Sequence, residues 1–137
     1  MIRLEHIGVA VSDAQKSQQL FDRLLGKTTY KIETVDTEEV TTYFYDLETA
    51  KLELLAPNSE NSVIEKFINK RGEGIHHLAF EVDDLEAEIL RLKEEGFTFI
   101  SETPKRGADD KLICFLHPKS TNGVLVELCQ SLATGKA

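Results

Sequence analysis

Residues 3–13, RLEHIGVAVSD, reappear in altered form 71 positions later as residues 74–84, GIHHLAFEVDD. His77 falls on His6, Val82 on Val11 and Asp84 on Asp13, with apolar positions matching between them. This offset constrains the fold more than any other feature. It is too long for a solenoid repeat and fits a tandem duplication of a four-strand unit. Half of a 137-residue chain makes a marginal core on its own, so the two copies are expected to share one domain.

The repeat extends beyond the strand. In the first copy, SDAQKSQQLFDRLLG reads as a helix with a Ser12-x-x-Gln15 capping box, a stop at Gly26, and Ala14, Leu20, Phe21, Leu24 and Leu25 gathered on one face. In the second, DDLEAEILRLKEEG has Asp83 and Glu86 at the same offset, then Leu85, Ile89 and Leu92, and ends at Gly96. Three strand-like runs follow each helix: TTYKIETV, EVTTYFYDL and AKLELLA in the first copy, FTFIS, KLICFLH and GVLVELCQ in the second. Between the copies, NSVIEKFINKRGEG carries a Ser62-x-x-Glu65 cap and a short amphipathic helix.

The predicted class is α+β, with two tandem βαβββ modules forming a curved mixed sheet around a metal site. Within a single domain over 1–137, the first module takes 1–57, a helical linker 58–74, the second module 75–130 and a tail 131–137. One helix for four strands covers one face of each half-sheet and leaves the other open.

Strand alternation identifies the residues on that open face. His6, Gly8 and Ala10 oppose Ile7, Val9 and Val11, and His77, Ala79 and Glu81 oppose Leu78, Phe80 and Val82. A histidine followed by a glycine or alanine leaves room beside the imidazole. The last strand of each copy places one carboxylate among apolar neighbours, Glu53 in KLELL and Glu127 in VLVEL. Such a carboxylate is costly to bury unless it is paired or bound to a cation. Two imidazoles and two carboxylates, His6, Glu53, His77 and Glu127, suit a divalent ion such as cobalt, zinc, nickel or manganese, with two positions left for a chelating substrate. His76 has Glu5 as its counterpart and is left out of the set.

The net charge of −8 disfavours nucleic acid as a partner, and no run is long enough for a membrane span. The N-terminal residues are expected to enter a strand directly, with no leader. Cys114 and Cys129 lie in apolar runs with no C-x-x-C spacing, so both are expected to be reduced, buried thiols in a cytoplasmic setting.

EHIGVAVSD, KLELLAP, GEGIHHLAFEVDDLEAEI and FLHPKSTNGVLVEL, with the duplicated module, resemble the methylmalonyl-CoA epimerase family of the vicinal-oxygen-chelate superfamily over residues 2–130. The resemblance implies the same four ligands, cobalt foremost among the metals, and a homodimer. It also implies interconversion of (R)- and (S)-methylmalonyl-CoA by removal of the α-proton through a metal-stabilised enolate, with Glu127 as a base. Some relatives carry a second glutamate where this chain has Thr42. Glu39, close by, reads as a solvated strand end. Lys111 and Lys119, with Lys105 and Arg106, are read as loop cations able to meet the phosphates of coenzyme A, while His117 reads as closing a hairpin. A glyoxalase-I-like lyase acting on a glutathione hemithioacetal would use the same four ligands. A non-catalytic small-molecule-binding module of the superfamily is the other alternative.

Overall fold

Alternation of apolar residues with small or polar ones puts Ile2–Ala10 into a strand, β1. A computed structural model describes residues 2–132 of the chain. After β1 come α1 (Ala14–Leu25), β2 (Lys31–Val35), β3 (Val40–Asp46), β4 (Lys51–Pro57), α2 (Val63–Arg71), β5 (Gly74–Val82), α3 (Leu85–Glu94), β6 (Lys105–Gly107), β7 (Lys111–Leu116) and β8 (Val126–Ser131). Single 3-10 turns occupy Asp36–Glu38 and Pro118–Ser120. These residues form two compact units. One is His6–His76; the other joins the start of β1, up to Glu5, to the chain from His77 onward.

In the first unit the strands run β2-β3-β4-β1, antiparallel except for the parallel pair β4·β1. In the second they run β5-β8-β7-β6, with β5·β8 as the parallel pair. Each parallel pair brings the strand before the helix beside the last strand of its module, which is the βαβββ pattern expected from the repeat.

The helix caps lie one residue later than the sequence pattern indicates. Asp13, not Ser12, caps α1, its carboxylate accepting from the Lys16 N–H at 3.1 Å. Ser12 instead donates its N–H and its hydroxyl to Glu73, at 2.7 and 2.9 Å. In the second copy Asp84 caps α3 by accepting from the Ala87 N–H at 3.1 Å. The caps therefore keep the 71-residue offset. A shorter aspartate at N-cap does the same work as serine. α1 ends as expected at Gly26, whose φ of 67° lets its N–H turn back to the Asp22 carbonyl. The linker helix α2 is capped by Ser62, accepting from Ile64.

α1 covers one face of the first unit. Tyr45, Leu54 and Ala56 are buried there with Val11 and receive Phe21 and Leu25. At one end of the opposite face α2 buries Ile64 against Ala10, Val40 and Leu55. In the second unit α3 places Leu85, Ile89 and Leu92 on Val82, Cys114, Leu116 and Leu128. FTFIS does not form the strand expected of it. It makes one isolated bridge, Phe99 to Leu116, and the short β6 pairs with Lys111–Ile113 at the start of β7. Phe99 is drawn into the core under α3, which keeps this run from lying flat as a ladder. Gly107 then admits Ile113, because a Cβ at that position would stand 2.8 Å from the isoleucine Cδ1. No helix among the described residues is long and apolar enough to cross a membrane.

Candidate active site

The face of each half-sheet away from its main helix carries the expected polar residues. In the first unit, register aligns Gly8 with Glu53 and Glu53 with Phe44, so these share one face with His6. His6 Nδ1 lies 3.2 Å from Glu53 Oε2. The two residues are only 6% and 4% exposed. In the second unit Glu127 is in register with Ala79 and with Phe115, which puts it on the His77 face. His77 Nε2 lies 3.2 Å from Glu127 Oε1, and the imidazole meets Phe115 edge-on. The duplication thus delivers two buried imidazole–carboxylate pairs, one per unit, with the same separation.

Each pair offers one nitrogen and one oxygen donor to a cation, a chemistry that suits a borderline divalent ion. Gly8 and Ala79, two residues after each histidine, are both buried. The residues present fit such an ion. Among the described residues, neither cysteine belongs to the side-chain groups that could hold such an ion. Burial, aided by the charge of Glu127, pushes the Cys114 thiol up to about 12, and Cys129 is shifted in the same direction by the same two causes. Both cysteines are free and buried, as the sequence implies.

Other residues singled out by the sequence are placed as follows. His76 points away from the His77 face and packs edge-on against Phe67, with ring centroids 4.8 Å apart. Thr42 lies on the Glu53 face and is 3% exposed. Glu39 sits in a left-handed turn before β3, and its carboxylate accepts from the Ser59 hydroxyl, which takes it off the strand. His117 is exposed, and its Nδ1 accepts from the Lys119 N–H at 3.1 Å, closing the turn.

Lys111 is not on a loop. It opens β7, is 8% exposed, and its Nζ lies 3.0 Å from Ser131 Oγ and 3.8 Å from Glu5 Oε2. Ser131 in turn donates to Glu81, which also accepts from Arg3. β7 begins at Lys111, the first residue of the run KLICFLH, and the Lys111↔Ser131 register turns the lysine onto the Glu127 face. Lys119 and Arg106 are exposed, Arg106 being paired with Asp110.

The sequence reading took TTYKIETV as a strand but placed none of its charged residues on the open face. Register places Lys31 opposite Phe44 and Glu33 opposite Thr42, so both charged side chains share the face of Glu53. Ile32 is the residue turned outward, at 54% exposure. The alternation of KIETV marks a strand but leaves open which parity turns inward; the register decides it. A separate cleft of about 840 Å³ runs beside the start of α1, lined by Val11, Ser12, Lys16, Leu20 and Glu73; neither His6 nor Glu53 lines it.

Residues 5–115 match the Glyoxalase/Bleomycin resistance protein/Dioxygenase superfamily. The chain is 42% identical over 127 residues to the mitochondrial methylmalonyl-CoA epimerase of Dictyostelium discoideum, covering 92% of this chain and 76% of that one. It is 41% identical over 130 residues to an ethylmalonyl-CoA/methylmalonyl-CoA epimerase of Cereibacter sphaeroides, covering 93% and 97%. Among solved structures, a methylmalonyl-CoA epimerase in complex with methylmalonyl-CoA and NH4+ superposes with a TM-score of 0.88 at 32% identity, covering 97% of this chain and 96% of that one.

Proposed function

Because the chain belongs to the methylmalonyl-CoA epimerases of the Glyoxalase/Bleomycin resistance protein/Dioxygenase superfamily, we propose that it interconverts the two epimers of methylmalonyl-CoA with a divalent ion held by His6, Glu53, His77 and Glu127. The observation that carries this reading is the pair of buried His–Glu contacts at repeat-related positions, each 3.2 Å long. Cobalt is the ion of first choice, with zinc, manganese and nickel as alternatives. When bound, it would neutralise charge developing on the thioester oxygen.

The rest belongs to the side chains. Glu127 takes the α-proton, which lies between a thioester and a carboxylate and is acidified by both; the C–H electrons pass into the enolate. His77 and the Phe115 ring beside it hold Glu127 in place and limit the access of water. Lys119, exposed in the turn after β7, would supply the cation for an anionic coenzyme A phosphate. Lys111 would reach one only by leaving Ser131 and Glu5. By analogy with the family we assign a homodimer, to be checked by light scattering, and a cytoplasmic setting.

The test is proton exchange. Cobalt-loaded protein is given one epimer of methylmalonyl-CoA in D2O, and the α-proton is followed by NMR against an EDTA-treated control. Deuterium uptake with appearance of the second epimer is expected. Absence of exchange with metal bound would move the assignment to glutathione hemithioacetals.

A further inference from the structure

We propose that the outer edge of β2 is an interface between two copies of this chain, joined antiparallel about Ile32. The surface lies wholly within the first unit and rests on no part of the catalytic reading. Such a contact is isologous, so each copy must present a patch that complements itself.

One row of residues in register crosses the α1 side of this half-sheet: Val9, Leu54, Tyr43 and Ile32. Leu54 is fully buried, and Val9 and Tyr43 pack against its cluster. The row then stops at Ile32, 54% exposed, on a strand that ends the sheet order and pairs with β3. The outer edge of an end strand is a template for one more strand. An apolar row that runs out at such an edge favours a strand able to continue it.

The charges of β2 select the partner. On its other side stand Lys31 and Glu33, with Nζ and Oε1 3.4 Å apart. The Lys31 ammonium also lies 5.1 Å from the centre of the Phe44 ring, which steadies it at this edge. A twofold axis through Ile32, perpendicular to the sheet, sets residue 31 of one copy opposite residue 33 of the other. Each ammonium then meets a carboxylate of the second copy as well as its own, and four alternating charges close into a square. On the α1 side the same axis sets Ile32 against Ile32, so the apolar row continues into the second copy. Directly opposed side chains have Cβ atoms about 5 Å apart, close enough for both contacts. Moving the axis to Lys31 or to Glu33 would place like charges face to face, which is unfavourable.

Charges on an edge strand ordinarily guard it against pairing. A guard of one sign repels its own copy in every register. Here the two signs alternate at the spacing that a twofold pairing satisfies, and the exposed residue between them is an isoleucine. A strand of five residues makes a small interface, so the contact belongs to the weak, concentration-dependent class.

The test is sedimentation velocity of the full chain over a dilution series. Wild type is compared with Lys31→Glu, Glu33→Lys, the double exchange Lys31→Glu/Glu33→Lys, and Ile32→Lys, each checked for a wild-type Tm. Either single reversal sets like charges opposite at both cross-strand positions and is expected to weaken association at least about 10-fold. The double exchange restores both pairs and should restore association. An equimolar mixture of the two single variants should do the same, since one then carries two carboxylates and the other two ammonium groups. Ile32→Lys, which opposes two cations on the axis, should abolish the contact. Wild type that matches both single reversals in size at every concentration up to about 1 mM overturns the proposal. A double exchange as weak as the single reversals also overturns it, because the loss then follows the residues and not their pairing. An association step unchanged in every variant lies elsewhere on the molecule, and if it is the sole step the proposal falls.

Discussion

Glu127, 6% exposed and 3.2 Å from His77, illustrates what a buried carboxylate requires: a partner that repays its loss of water. Glu127→Gln keeps the shape and an oxygen donor but removes the base. It is expected to lower α-proton exchange by roughly 10²–10⁴-fold while cobalt stays bound, as read by NMR and metal analysis. An unchanged exchange rate would remove Glu127 as the base. Glu73 shows the same logic at the surface. The Ser12 N–H and hydroxyl hold its carboxyl below its ordinary value of 4.5, the backbone bond contributing most. A carboxyl depressed on folding stabilises the protein above pH 4.5, and that contribution disappears as pH falls through the lowered value. Glu73→Gln should therefore flatten the acid side of the stability curve, measured by urea unfolding at stepped pH. His6, Glu53, His77 and Glu127 could each be read from the repeat, because a polar residue at a fixed parity in an apolar strand stands out. Glu33 could not, because KIETV is equally regular with either face inward.

At the scale of the element, α3 tests how much one helix contributes to its unit. Leu85 is fully buried at its first position, against the cluster that holds Val82 and Leu128. Leu85→Ala is expected to destabilise by about 2–5 kcal/mol in denaturant unfolding, through lost transfer energy and the cavity left behind. Asp84→Ala at the cap should cost about 1 kcal/mol. A larger loss from the cap than from the core would contradict this ordering. Helices were legible because periodicity and capping residues are local, and at the α1 cap Ser12 is taken instead by Glu73, a contact 61 positions away. The misread of FTFIS has the same origin. Its alternation suits a strand, but only Phe99 bridges to β7, at Leu116, while also packing under α3, and Lys105–Gly107 pairs with the first half of β7.

For the whole molecule, the proposed ion is a ligand of the folded chain. Binding only to the folded chain, it should raise stability by about 2.7 kcal/mol at a hundred times its Kd. Stripping with EDTA should accordingly lower Tm, and cobalt should restore it together with exchange. A Tm indifferent to the metal would mean that the four side chains do not act as one site. The sequence by itself determined the duplication, the βαβββ order and the histidine and glutamate of each half, since each is written in local periodicity and a fixed offset. Only the tertiary structure decided which face of β2 turns inward, that Lys111 is a buried strand residue held by Ser131 and Glu5, and that FTFIS makes a single bridge and not a strand. Those outcomes depend on register and on contacts between residues far apart in the chain, where alternatives of similar local propensity are separated only by what they pack against.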